Sequence, residues 1–442
     1  MVRSAIADDT FLHYLSTLIK DDSPTVGLIL GQPTPTKDYI VHFARTPLQN
    51  ELGEKAVKKI ADLSEIWIAD HARHATRMLP GGMYILGIFI VSEEDIMTTL
   101  PKLKSILVQL KKKLTSNEFL YGVPSHTNDK LVLCYSKSTH SYACKNYNYE
   151  TDIVNLADLK FQQKLSVKWL QLECRYELDQ IFPIDSTKAN WVLKKHMNDI
   201  LKSINDNLRI GVFFFDGEMK DDTDILESIG KKKMVHSKLG QYESNDVKLI
   251  QVTILLPNVC ITSRPSMQII DCKGQIKLAG HVATKLWLHP NATVKDTSTA
   301  IIEDIVRSLA ARLEMHWDSL IEEEHGSAED TNSIHETPRR VIVNLPSSKV
   351  TLTDYLFPGE GPQEAQISLK ELLDIEIAKS DSILDVEGQA DLTDLGNEGI
   401  EINSEDMLQK LPKTTNKYIY FTGLGVATLV LIISVFIHFI QN

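Results

Sequence analysis

The run YIYFTGLGVATLVLIISVFIHFI, Tyr418 to Ile440, constrains this chain most, because 23 consecutive residues include no Asp, Glu, Lys or Arg. A helix rises about 1.5 Å per residue, so the run covers the roughly 30 Å of bilayer hydrocarbon with some tilt. A helix apolar on every side needs lipid or a deep protein core around it. Tyr418, Tyr420 and Phe421 stand where an aromatic belt lies, and Lys410, Lys413 and Lys417 flank the entry. Residues 418–440 are expected to form one transmembrane tail anchor, with Tyr418, Phe421, Leu429, Ile433, Phe436 and Ile440 as anchor residues. Such an anchor inserts after synthesis and leaves everything before it in the cytosol. The sequon Asn291-Ala292-Thr293 is then expected to stay unglycosylated. The start, MVRSAIADDTFLHYL, lacks the apolar core of a secretory signal.

The rest of the chain reads as folded protein. Its 442 residues allow two domains of ordinary size, and 43% apolar with 24% charged residues excludes wholesale disorder. A net charge of −12 argues against a nucleic-acid binder, which needs a basic face to displace phosphate counterions. Between Glu360 and Gln409, fourteen acidic residues face only Lys370 and Lys379. That excess equals the net charge of the whole chain, so residues 358–417 are expected to be an acidic, flexible linker. Its apolar islands, Leu372-Leu373 and Ile375-Glu376-Ile377, are candidates for folding on a partner. Cys134, Cys144, Cys174, Cys260 and Cys272 are odd in number, scattered and free of any CxxC pair, which suits a reducing compartment.

The first segment, 1–160, opens with a short helix pattern at Phe11, Leu12, Leu15, Leu18 and Ile19. Val26–Gly31 and Tyr39–Ala44, joined by a short Pro-containing link, predict a hairpin. Ser64 to Leu79 predicts a helix capped by Ser64, with Ile66, Ala69, Ala75 and Met78 on its apolar side. Pro80-Gly81-Gly82 follows, and then the apolar strand Met83–Val91. A phosphate loop runs from strand through glycines into a helix whose N-terminus faces the anion. Here the order is helix, glycines, strand, so Pro80, Gly81 and Gly82 form a structural turn. Ser92-Glu93-Glu94 predicts the start of a helix through Ile96, Leu103 and Leu110, and Lys130–Ser136 and Ser141–Asn146 predict two further strands. The fold class is α/β (α+β).

The second segment, 161–357, is richer in strand patterns: Val167–Tyr176, Arg209–Phe215, Val247–Pro257, Gln275–His289 and Arg340–Leu345. An amphipathic helix carries Val306, Leu309, Leu313, Trp317 and Leu320 on one face, with Glu303, Asp304, Arg307 and Arg312 expected to face water. The loops at 216–246 are charged.

No catalytic constellation emerges. His71 and His74 are three residues apart on one helix, but no third ligand stands near them, so they read as surface or interface histidines rather than zinc ligands. Cys134 and Cys144 lie on adjacent predicted strands and read as core thiols. Neither GxSxG nor HExxH occurs, and Phe215-Asp216-Gly217 lacks the lysine strand and catalytic loop that would make it a kinase metal site. No cofactor and no small-molecule substrate is expected.

Three blocks resemble those of a known family. One is Val26–Gln32 with Lys37-Asp38-Tyr39 and Arg45-Thr46-Pro47. The second runs from His71-Ala72 through Arg77-Met78-Leu79-Pro80-Gly81-Gly82 to Leu86–Ile90. The third is Pro338–Val343 with Leu345-Pro346 and Asp354-Tyr355. With the tail anchor and the acidic segment they resemble the odorant-response-abnormal-4 (Odr-4) family over nearly the whole chain. The resemblance implies a protein of the endoplasmic-reticulum or vesicle membrane that assists folding, exit or delivery of certain G-protein-coupled odorant receptors. It also implies recruitment of a cysteine protease that processes the ubiquitin-fold modifier. The first segment looks like an MPN domain, the fold of zinc deubiquitinases, whose active members carry His-x-His-Pro. This chain has Ser92-Glu93-Glu94 after its Ile85–Val91 strand and no such motif, which implies an inactive, protein-binding module. The expected function is a non-enzymatic, tail-anchored adaptor; the alternative is a membrane-anchored metal-dependent isopeptidase with unusual ligands.

Overall fold

Seven strands close into a barrel, the central ones alternating their side chains between two apolar environments. In the computed structural model these are β1 (Arg3–Asp8), β2 (Thr25–Gln32), β3 (Asp38–Arg45), β4 (Tyr84–Ser92), β5 (Asp129–Ser136), β6 (Tyr142–Asn148) and β7 (Val154–Gln162). Their order is β1-β3-β2-β4-β5-β6-β7. The structure describes residues 2–388 apart from 21–22, 49–56, 95, 122–127, 164, 166, 227–248, 257–270, 323–335, 346–347 and 378–381. The expected transmembrane helix 418–440, Cys260 and the later part of the acidic segment lie outside the described residues. Among the described residues no helix is long and apolar enough to cross a membrane.

The predicted β2–β3 hairpin is present, paired antiparallel from Gly27 opposite Arg45 to Gln32 opposite Tyr39. β1 and β7 were not legible as strands. They pair in parallel, Ala5 opposite Leu159, and close the barrel. Ile29, Phe43, Leu86, Phe89 and Leu133 fill its interior, where α1 (Thr10–Thr17) also sends Leu15. Outward-pointing Leu28, Leu30, Ile88 and Ile90 share a second core with α2 (Glu65–Arg77) and α3 (Ile96–Leu114). Ser64 caps α2 as expected, its hydroxyl accepting from the Trp67 N–H at 3.3 Å. The buried face is Ile68, Ala69, Ala72 and Ala75, however, and Ile66 is 68% exposed. The spacing of Ile68, Ala72 and Ala75 sets the inward side, and Ile66 lies about 200° round the helix from Ile68.

A second sheet follows a short α4 (Glu118–Tyr121). It comprises β8 (Leu170–Asp185), β9 (Val212–Phe215), β10 (Glu218–Met219), β11 (Leu249–Leu255) and β12 (Cys272–Leu288), in the order β10-β9-β11-β8-β12. The strand expected at Arg209–Phe215 starts only at Val212, because Leu193–Arg209 is a helix, α5. It buries His196, Ile200, Leu201, Ile204 and Leu208, one helical face, against this sheet. Asp216 and Gly217, both at positive φ (50° and 80°), turn β9 into β10, which accounts for the Phe-Asp-Gly triplet. The long amphipathic helix, α6 (Val294–Glu322), packs on the other part of the same core through Ile301, Ile305, Leu309 and Leu313.

The expected linker 358–417 is corrected over its first part. β13 (Arg339–Asn344), β14 (Thr351–Leu356) and β15 (Ile383–Asp385) form a third sheet, and α7 (Pro362–Leu373) packs beside it. Pro362 sits at the first helical turn, where its missing N–H is not needed. Ala365, Leu369, Leu373 and Ile375 are buried in the core shared with the barrel, so these apolar islands fold on their own chain. Net charge concealed this because the acidic side chains Glu364, Glu371 and Glu376 occupy the exposed face. The boundary expected at residue 160 falls near the end of β7, yet residues 1–388 form one compact unit.

Candidate functional site

Pro80-Gly81-Gly82 links α2 to β4 and is pressed against α6. Gly82 has φ +77°, and a Cβ on Gly81 would stand 2.1 Å from the Ala300 carbonyl oxygen, so both positions require glycine. The Gly81 N–H donates to Asp304 Oδ1 at 2.8 Å. Arg340 Nη1 and Nη2 donate to Asp304 Oδ2 and Oδ1 at 2.6 and 2.9 Å, a bidentate pair whose side chains are both 1% exposed. Burial opposes the charge on Asp304, but Arg340, the Gly81 N–H and Arg307 together hold its carboxyl below the ordinary range.

Arg307 Nη1 donates to the carbonyls of Leu79 and Pro80 at 3.1 and 3.2 Å, and its guanidinium lies 5.6 Å from the Tyr84 ring centroid. Tyr84 in turn donates its hydroxyl to Glu303. Gln32, at the end of β2, donates to the carbonyls of Trp287 and Gly82 at 3.1 and 3.3 Å and accepts from the His289 N–H at 2.9 Å. Glu387 accepts from the Arg340 N–H at 2.8 Å, the Arg312 guanidinium at 2.7 Å and the Ala283 N–H at 2.9 Å.

This junction corrects the expectation that Asp304, Arg307 and Arg312 face water: they are 1%, 2% and 7% exposed. Periodicity identifies the apolar stripe of α6 but not what covers the polar one. Here a glycine turn and two further ionic side chains cover it. The three sequence blocks quoted above meet at this point, through Gln32, through Leu79–Gly82 and through Arg340. What they share is cohesion: the Asp304 carboxylate is taken up by Arg340 and Gly81, far from bulk water.

His71 and His74 diverge. His71 is 4% exposed; its Nε2 donates to the Leu372 carbonyl at 2.6 Å, and its Nδ1 accepts from the Thr46 hydroxyl at 3.1 Å. It is a core residue rather than a surface one, and burial lowers it to about 4. Burial, then Arg77 and Arg73, likewise bring His74 to about 4. Among the described residues no three His, Cys, Asp or Glu side chains are grouped to hold a metal ion. Cys134 and Cys144 do sit on neighbouring strands, Cys144 opposite Leu133. Burial pushes the Cys144 thiol up to about 12, with Cys134 adding to the effect, and a protonated thiol is a poor nucleophile.

Beside the junction, α2, α6, β14 and α7 line a partly open cavity of about 230 Å³ whose walls include His74, Arg77, Asp354, Phe357, Glu360 and Glu364. Asp354 is 8% exposed, and its Oδ2 has no hydrogen-bond partner among the described residues. Burial pushes its carboxyl up to about 7, outweighing the Tyr355 N–H and the Ser368 side chain. In the sequence Asp354 stands out only as part of the Asp354-Tyr355 block, since a cavity built from residues 74 to 372 has no local pattern.

A model of the ODR4-like family (Odorant response abnormal 4-like) matches residues 27–384. The protein odr-4 homolog of Mus musculus is 30% identical over 390 residues, covering 86% of this chain and 85% of that one. The protein odr-4 homolog of Drosophila melanogaster is 27% identical, covering 97% of each chain. The odorant response abnormal protein 4 of Caenorhabditis elegans is 22% identical, covering 76% of this chain and 69% of its own. Among solved structures, UfSP from C. elegans aligns with a TM-score of 0.45 at 10% identity, over 86% of this chain and 57% of that one. With a family match over most of its length and relatives of near-equal extent, the chain belongs to the ODR4-like family.

Proposed function

We propose that this protein is a non-enzymatic adaptor, anchored in the endoplasmic-reticulum or vesicle membrane by residues 418–440, whose folded unit binds partner proteins on the cytosolic side. Its partners in this reading are a subset of G-protein-coupled odorant receptors and the cysteine protease that processes the ubiquitin-fold modifier. Family membership across residues 27–384 is the observation that carries it. The barrel with α2 and α3 is then an inactive MPN-like module, with Ser92-Glu93-Glu94 at the end of β4 in place of His-x-His-Pro. The junction at Gly81, Asp304 and Arg340 gives such a module rigidity. An anchored module acts by raising the local concentration of what it binds, without any chemical step of its own.

The test is affinity purification of the full-length protein from gently solubilised membranes, with mass spectrometry of what co-elutes. A near-stoichiometric cysteine protease of that class, with receptors at lower yield, is expected. Recovery of neither overturns the adaptor reading.

A further inference from the structure

The cavity beside the junction holds a buried carboxyl, one oxygen of which has no hydrogen-bond partner among the described residues. Asp354 lines it, is 8% exposed and leaves Oδ2 without a partner among the described residues. An unmet buried acceptor is costly to keep, and a donor entering from outside relieves it. Two more carboxylates stand on the same lining. Glu360 Oε2 accepts from the Phe357 N–H at 2.7 Å and Glu364 Oε2 from the Gly361 N–H at 3.0 Å. A carboxylate has about four acceptor positions, so both retain capacity for a further donor.

The basic groups in the lining do not cancel this. Arg77 Nη2 is engaged at 2.5 Å by Glu314 Oε2, a carboxylate that Arg73 Nη2 also approaches at 3.6 Å, with Asp318 Oδ2 4.0 Å from Arg73 as a second acid. His74 is held neutral near pH 7 by burial and by Arg77 and Arg73. Met78, Leu356, Phe357 and Leu372 supply apolar walls. A volume of about 230 Å³ is below the roughly 300–1,000 Å³ of small-molecule sites but admits one long side chain.

We propose that this pocket receives an arginine side chain of a partner polypeptide. Its guanidinium donates to Asp354 Oδ2 and to the Glu360 and Glu364 carboxylates, while its methylene stem lies on Met78, Leu356 and Phe357. The assignment deepens the adaptor reading, on which it rests, by naming the chemistry of the partner's anchoring residue. Arginine suits the site better than lysine. Its planar fork meets carboxylates two bonds at a time, it is more weakly hydrated than an ammonium, and it stacks on an aromatic face such as Phe357.

The experiment is isothermal titration of the full-length protein in detergent micelles with N-acetyl-arginine amide. The neutral citrulline analogue and the lysine analogue serve as competing probes, and Asp354→Asn and Glu364→Gln as variants. The wild-type protein should bind the arginine probe saturably at one site. Binding should fall about tenfold or more for citrulline and for Asp354→Asn, and about two- to fivefold for Glu364→Gln. Asp354→Asn should melt no lower than wild type, since it removes a buried carboxyl, so any loss of binding is not loss of fold. The absence of saturable arginine binding, equal binding of citrulline, or undiminished binding by Asp354→Asn overturns the proposal. Lysine binding as tight as arginine overturns the choice of side chain. Equal recovery of partners by wild type and Asp354→Asn in the purification above removes the pocket and leaves the adaptor reading. Recovery of no partner by either removes the adaptor reading, and the titration still decides the pocket.

Discussion

Asp304 shows how much can rest on one buried side chain: it ties a glycine turn, a helix and a strand together through three hydrogen bonds. Removing one member of a buried ion pair leaves the other uncompensated, so Asp304→Ala should cost about 3–5 kcal/mol in urea denaturation. Asp304→Leu combined with Arg340→Met should cost less than the two single changes together, because neither charge is then stranded. Gly81→Ala should cost about 1–3 kcal/mol, since its Cβ meets the Ala300 backbone, which cannot rotate away. His71 and Asp354 oppose one another in their pH dependence. His71 titrates near 4 in the folded state and near 6.5 when unfolded, so its contribution is present above 6.5 and lost as pH falls toward 4. His71→Gln should therefore flatten the acid side of the stability curve, by up to ~3 kcal/mol between pH 6.5 and 4. Asp354 is raised from 3.8 to about 7, so it lowers stability as pH rises through that window, and Asp354→Asn should remove that decline. Thermal unfolding of each variant from pH 4 to 8 reads both slopes.

At the scale of elements, what the sequence made legible followed from periodicity. Ser64 and the run before Pro80 announced α2, and the apolar runs of β2 and β4 announced buried strands, though not the barrel they close into. β1 and β7 escaped notice because Arg3–Asp8 is short and Val154–Gln162 has few buried residues; their pairing depends on long-range closure. α5 was hidden by its charge, although Ile200, Ile204 and Leu208 recur at helical spacing, and Ile204→Ala should cost about 2–5 kcal/mol. α7 was masked by the acidic composition around it. The imidazoles of His42 and His71 receive its last turn, donating to the carbonyls of Leu373 and Leu372 at 2.7 and 2.6 Å. The polar junction was half legible: its glycines and Arg340 stood out as blocks, but no local pattern says that Asp304 lies between them.

For the whole molecule, the proposed arrangement is a folded cytosolic unit, residues 1–388, held near a membrane by the segment 418–440. A glycosylation acceptor added after Asn442 should be modified while Asn291 is not; the reverse pattern places the folded unit on the other side. In this proposed arrangement the folded unit, rather than the anchor and acidic segment, selects the partners. The most direct measurement replaces residues 1–388 by an inert domain, keeps 389–442, and compares co-purification of the cysteine protease with that of the full-length protein. The full-length protein should recover it and the chimera, at equal membrane abundance, should recover none. Equal recovery by the chimera overturns partner selection by the folded unit and leaves a tether in place of an adaptor.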